Sequence, residues 1–93
     1  MLVTISVSRN SNFDTVTIER LDGRKIVSQL DDRENIRVIE NTTNMKDSVA
    51  ECAAGICLIN FQEKGNDTIG WRDLVDQASR CRSSIDEYVR NLN

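Results

Sequence analysis

The fold is decided by residues 16–28, which read VTIERLDGRKIVS. Apolar and polar side chains alternate on both sides of an Asp-Gly pair, which is the pattern of two antiparallel strands joined by a tight turn. A three-residue loop with Gly23 in the left-handed region places Ile18 opposite Ile26. A two-residue loop would pair Ile18 with Val27 and divide the apolar residues between two faces. We therefore predict the three-residue loop, which gathers the apolar side chains on one face.

The same alternation continues on both sides of this hairpin. Turn-forming residues separate the alternating runs, so the first forty residues are predicted to form an antiparallel meander. Its strands, about four in number, are expected at residues 2–8, 13–20, 24–30 and 36–40. One face of this sheet is apolar, and such a face is stable only when another element covers it.

The second half of the chain is predicted to supply that cover as two helices, at about residues 45–64 and 71–92. In both segments the apolar residues recur at spacings of three and four, which is the period of an amphipathic helix. In the first of them the periodic positions are Met45, Val49, Cys52, Ile56 and Ile59. An alternative remains open there: the helix stops near residue 54, just before Gly55, and a fifth strand spans residues 56–62.

These elements predict an α+β fold in one compact domain, residues 1–93. A chain of this length buries roughly 60–65% of its unfolded surface, which is enough for one core. Hydrophobic residues make up 39% of the composition, and the net charge is −3. No apolar run approaches the ~18 residues of a membrane span, so we expect no integral membrane protein.

The composition argues against most catalytic and metal chemistry. The chain has no histidine, which removes the usual general base and the commonest metal ligand. Its glycines form no phosphate-binding loop and no dinucleotide fingerprint. We therefore predict a protein that is not an enzyme and that uses no cofactor.

The cysteines are predicted to be structural thiols. Cys52, Cys57 and Cys81 could supply three ligands at most, whereas structural zinc sites use four. An odd number of cysteines and the absence of a recognisable signal peptide lead us to expect a reducing compartment, the cytoplasm.

Arginine usage points to a binding surface. The chain has nine arginines and three lysines, and arginine is enriched at interface hot spots because its planar guanidinium makes bidentate contacts. Trp71 begins the second helix and is a candidate anchor if it is partly exposed. The candidate partner-binding residues are Arg24, Arg33, Arg37, Trp71, Arg72, Arg80 and Arg90.

Size, acidity and the lack of catalytic groups favour a small acidic binding module. The partner we expect is another protein or macromolecular complex. The function predicted is that of an inhibitor or adaptor of the kind that phages and mobile elements encode, such as an anti-CRISPR. The alternatives are a nucleic-acid-binding regulator that uses the C-terminal helix and a structural homodimer.

Overall fold

The computed structural model describes residues 1–9, 12–31, 35–60 and 67–92, and for residues 59, 60, 67 and 82–92 it describes the backbone alone. The fold is α+β, as predicted, with the sheet strands leading and the helices following. In chain order the elements are β1 (Leu2–Arg9), β2 (Phe13–Arg20), β3 (Lys25–Asp31), β4 (Ile36–Asn41), α1 (Asp47–Asn60), β5 (Asp67–Gly70) and α2 (Trp71–Leu92).

The strands form one antiparallel sheet in the order β4-β3-β2-β1-β5. The first four follow one another across the sheet, so the predicted meander is confirmed. Their bounds differ from the predicted ones by one residue at most. The second helix has the predicted bounds.

The turn between β2 and β3 has the predicted geometry. Gly23 has a φ of 87°, in the region that side chains rarely adopt. Ile18 lies opposite Ile26, as the three-residue loop requires. Two backbone bonds close the turn: the N–H of Arg20 donates to the carbonyl of Arg24 at 2.8 Å, and the N–H of Gly23 donates to the carbonyl of Arg20 at 3.1 Å.

Helix α1 is shorter than the predicted 45–64. It begins at Asp47 because Met45 is bonded into the preceding linker: the Met45 N–H donates to Thr43 Oγ1 at 3.2 Å, and Asn41 Nδ2 donates to the Met45 carbonyl at 2.7 Å. Residues 61–64 lie outside the described part of the chain.

The alternative of a strand at 56–62 is wrong for residues 56–60, which are helical. Gly55 does not end the helix. A Cβ at this position would come within 3.3 Å of Ile36 Cδ1, so the glycine lets α1 lie close to β4. Packing against the sheet therefore outweighs the weak helix propensity of glycine. Residues 61 and 62 lie outside the described part.

Strand β5 lies between the two helices, where no element was predicted from the sequence. Its four residues are too few for a periodicity to show. It forms because β1 would otherwise leave its backbone groups unpaired on one side. Val3 lies opposite Ile69, and the N–H of Trp71 continues the ladder by donating to the Met1 carbonyl at 2.8 Å.

The two helices pack against different parts of the fold. Helix α1 packs against β1, β2, β3 and β4, whereas α2 packs against α1 and β5. Leu74 and Ala78 of α2 are fully buried in the core. The core side chains of the sheet are Val3, Ile5, Val16, Ile18 and Ile26.

The buried face of α1 is wider than the predicted stripe. Of the predicted positions, Met45 and Cys52 are buried, and Val49 and Ile56 are partly buried against the core. The fully buried positions are Ala50, Ala53, Ala54 and Cys57. Because α1 has the sheet on one side and α2 on another, most of its circumference is covered.

No helix in the described part of the chain is both long enough and apolar enough to cross a membrane.

Candidate functional site

Arg20, the last residue of β2, is held between two partners at the turn end of the sheet. Its Nη2 lies 2.9 Å from Asp22 Oδ2, and its guanidinium carbon lies 4.8 Å from the centroid of the Trp71 ring. Arg20 lies opposite Val3 and therefore on the face that the helices cover, where only 13% of its side chain is exposed. We call this arrangement the Arg20 clamp: Arg20, Asp22 and Trp71.

Asp22 also stabilises the turn itself. Its Oδ1 accepts a hydrogen bond from the backbone N–H of Arg24 at 3.1 Å, while its other oxygen faces Arg20. One carboxylate thus ties the turn backbone to the guanidinium that contacts Trp71. The hairpin turn and the first turn of α2 are thereby linked as one unit.

Three exposed apolar residues lie at the turn end of the sheet, and we call them the turn-end patch: Met1, Leu2 and Leu21. They are 60%, 56% and 81% exposed, respectively. Val3 pairs with Arg20, so Leu2 and Leu21 each lie one step beyond that pair, at the ends of adjacent strands. Exposed apolar side chains gathered at one end of a fold are typical of binding surfaces.

Three of the candidate residues lie at the same end of the sheet as the turn-end patch. Arg24 immediately precedes β3 and is exposed, Arg72 lies in the first turn of α2 and is exposed, and Trp71 is half-buried. In the described part of the chain, neither Arg24 nor Arg72 forms an ion pair. Two guanidiniums and an indole therefore lie at the end of the sheet that carries the exposed apolar side chains.

The other candidates lie elsewhere. Arg37 is exposed on β4, opposite Gln29, toward the far end of the sheet. Arg80 is exposed on α2, about 13 Å along the helix from Trp71. Arg33 lies outside the described residues, and Arg90 is described by its backbone alone. No finding tests any of these candidates, which remain predictions.

The apolar members of this surface were not predicted from the sequence, although two of them carry a signal. Leucine at position 21 breaks the usual chemistry of a turn, which favours polar residues and glycine. Leu2 directly precedes Val3, so the alternation places it on the uncovered face of the sheet. Met1 lies before the strand and has no such signal.

The described residues offer little reactive chemistry. No group of three or more Asp, Glu or Cys side chains lies together within them as a metal site would require. Burial raises the pKa of the Cys57 thiol from 9.0 to about 12. This thiol therefore stays protonated near neutral pH, and a protonated thiol is a poor nucleophile and metal ligand. The three cysteines form no disulfide.

No protein-family model, curated protein or solved structure matches this chain.

Proposed function

We propose that this chain is a non-enzymatic protein-binding module that docks through the turn-end patch. Its small size and acidic composition favour a cytoplasmic inhibitor or adaptor of the kind that phages and mobile elements encode. The observation that carries the proposal is Leu21, whose side chain is 81% exposed at the tip of a well-defined turn.

An exposed leucine at this position gains free energy when a partner covers it. Full burial of one leucine side chain is worth about 1.5–3 kcal/mol, and Met1 and Leu2 add to the same apolar surface. Aromatic and arginine side chains next to such a centre are the residue types that dominate measured binding hot spots. Trp71, Arg24 and Arg72 supply them here.

The turn-end patch is also pre-organised. Two backbone hydrogen bonds close the turn beside Leu21, and the Arg20 clamp ties that turn to α2. A surface that is already ordered loses little conformational entropy when a partner binds. Little of the binding free energy is then offset by ordering the turn.

The test uses the full-length chain as bait in a lysate of its source cells, followed by titration of each purified candidate partner by calorimetry. The matched variants are Leu21→Ser, inside the patch, and Asp76→Ser, an exposed position on α2. We expect Leu21→Ser to weaken binding about thirtyfold, as the loss of a hot-spot side chain does. The Asp76→Ser variant should bind as the parent chain does. An inhibitor should also lower the activity of the purified partner.

Two results would overturn the proposal. If no protein binds the parent chain reproducibly and stoichiometrically, the chain is not a protein-binding module. If a partner binds Leu21→Ser as tightly as the parent chain, docking does not use the turn-end patch. Circular dichroism of both variants checks that each retains the fold.

A further inference from the structure

Strand β4 is one edge of the described sheet, and its outer backbone groups can accept another strand. Two backbone hydrogen bonds, one beyond each end of β4, show which of its residues pair with β3 through backbone bonds. The Asp31 N–H donates to the Asn35 carbonyl, and the Thr42 N–H donates to the Lys25 carbonyl. Because bonded and non-bonded pairs alternate in an antiparallel ladder, Arg37 and Glu40 direct their backbone groups toward β3. Ile36 and Val38 direct theirs outward.

A bulge in β4 places two opposite charges on the same face of the sheet. Val27 lies opposite Glu40 and Ser28 lies opposite Val38, so Ile39 is the extra residue. Arg37 lies opposite Gln29, on the same face as Glu40 and away from the helices. Without the bulge, two residues three apart would lie on opposite faces.

We propose that a second copy of this chain pairs antiparallel along β4, with the two-fold axis at Val38. Because Ile39 and Glu40 together fill one position of the ladder at the bulge, Arg37 of each copy then lies opposite Glu40 of the second copy, which creates two equivalent ion pairs on one face. Val38 lies opposite Val38 of the second copy at the axis, and Ile39 is again the extra residue. The two five-stranded sheets become one continuous sheet.

The exposed groups of β4 fit this arrangement. Ile39 is 53% exposed and would be covered by the second copy. Glu40 already lies 3.3 Å from Lys25, and the approaching Arg37 would extend that pair to a network of three charges. In the described part of the chain Arg37 has no ion pair of its own.

The charges also select this register and a second copy as the occupant. A two-fold axis at Arg37 would place two arginines opposite each other, and an axis at Glu40 would place two glutamates opposite each other. Like charges in directly opposed positions destabilise a strand pair. An antiparallel partner strand must place an acidic residue opposite Arg37 and a basic residue opposite Glu40. A second copy of β4 does both.

The proposal is tested by the molar mass of the full chain in solution, measured by light scattering and sedimentation velocity across the micromolar range. The parent chain should approach twice its 10.6 kDa mass as its concentration rises. Arg37→Glu and Glu40→Arg each replace two attractive pairs with two repulsive ones. Each should weaken the dimer about tenfold or more, and the double variant R37E/E40R should restore it.

Asp76→Arg is the matched control, because it reverses an exposed charge outside β4 and should leave the mass unchanged. A parent chain that stays monomeric across this range would overturn the proposal. In that case the bulge and the two charges protect the edge from pairing, as such features do in other sheets. A dimer that is unaffected by both single reversals would also overturn it. Either outcome is independent of binding by the turn-end patch.

Discussion

The guanidinium carbon of Arg20 lies 4.8 Å from the ring centroid of Trp71, and this contact joins the end of β2 to the first residue of α2. The two residues are 51 positions apart in the chain. Asp22 holds the guanidinium from the turn side, and the Trp71 N–H is bonded to the Met1 carbonyl. Three segments of the chain therefore meet at one end of the sheet.

The first prediction is that Arg20 and Trp71 are energetically coupled. In a double-mutant cycle of Arg20→Met and Trp71→Leu, measured by urea unfolding, we expect a coupling free energy of about 1 kcal/mol because the cation lies over the ring in a largely buried position. The matched cycle of Arg24→Met with Trp71→Leu should give a value near zero, since Arg24 is exposed. Equal values in the two cycles would mean that the stacking contributes nothing.

The second prediction concerns the backbone of the turn. Gly23→Ala should lower the free energy of unfolding by about 1 kcal/mol, because a Cβ is strained at a φ of 87°. Steric contact contributes nothing, since no atom lies within 4 Å of the added Cβ. Gly23→Asn should cost less, as asparagine tolerates the left-handed region. Chemical unfolding of both variants measures the difference, and an alanine variant as stable as the parent chain would contradict this explanation.

The third prediction is that Asn41 fixes the link between β4 and α1. Its Nδ2 donates to the Met45 carbonyl at 2.7 Å and to Asp47 Oδ1 at 2.9 Å, while its Oδ1 accepts from the Thr43 N–H at 3.0 Å. Asn41→Ala should lower stability by about 2 kcal/mol, because it leaves several polar groups unpaired. Asn41→Asp keeps the acceptor but places a second carboxylate beside Asp47, so it should not restore stability. Thermal unfolding tests both variants, and an Asn41→Asp variant as stable as the parent chain would count against this network.

The fourth prediction is that a buried hydroxyl can be removed without loss. Ser28 is 1% exposed between Val16 and Val38 on the covered face, and its Oγ has no hydrogen-bond partner in the described part of the chain. Ser28→Ala should be neutral or should raise stability by up to about 1 kcal/mol, because burial of an unpaired hydroxyl is costly. Ser8→Ala removes an exposed hydroxyl and serves as the control in the same urea unfolding series. If Ser28→Ala lowers stability and Ser8→Ala does not, the Ser28 hydroxyl has a partner in solution.

The sheet could be predicted from the sequence because one side of it is covered and the other is not. In β2, Val16 and Ile18 are buried while Thr15 and Thr17 are less so, and this difference is what an alternating pattern records. The register of the hairpin followed from the same alternation together with the positive φ that Gly23 allows.

The details of α1 could not be predicted in this way. A helix that is covered on two sides has little contrast between its faces, so the predicted stripe, which includes Val49 and Ile56, is narrower than the true buried face. The fully buried positions include Ala53 and Ala54, whose small size reveals their burial only when the neighbouring elements are known.

The last prediction concerns the pH dependence of stability through Cys57. Burial raises the pKa of its thiol to about 12 in the folded chain, whereas the unfolded thiol ionises near its ordinary 9.0. Between these values the unfolded chain binds fewer protons than the folded one, so stability falls as the pH rises. The contribution is fully present below about pH 9 and should decline by about 1.4 kcal/mol for each pH unit above it.

Comparison with Cys57→Ala isolates the contribution of this thiol. The difference in unfolding free energy between the parent chain and the variant should be constant below about pH 9 and should shift toward the variant above it. Urea unfolding at several pH values measures that difference. A Cys52→Ser/Cys81→Ser double variant provides an independent reading, because its remaining thiol, Cys57, should react with a thiol reagent only when the chain unfolds. A difference that stays constant through about pH 10.5, or rapid labelling of Cys57 in the folded chain, would show that the thiol is not shielded in the core.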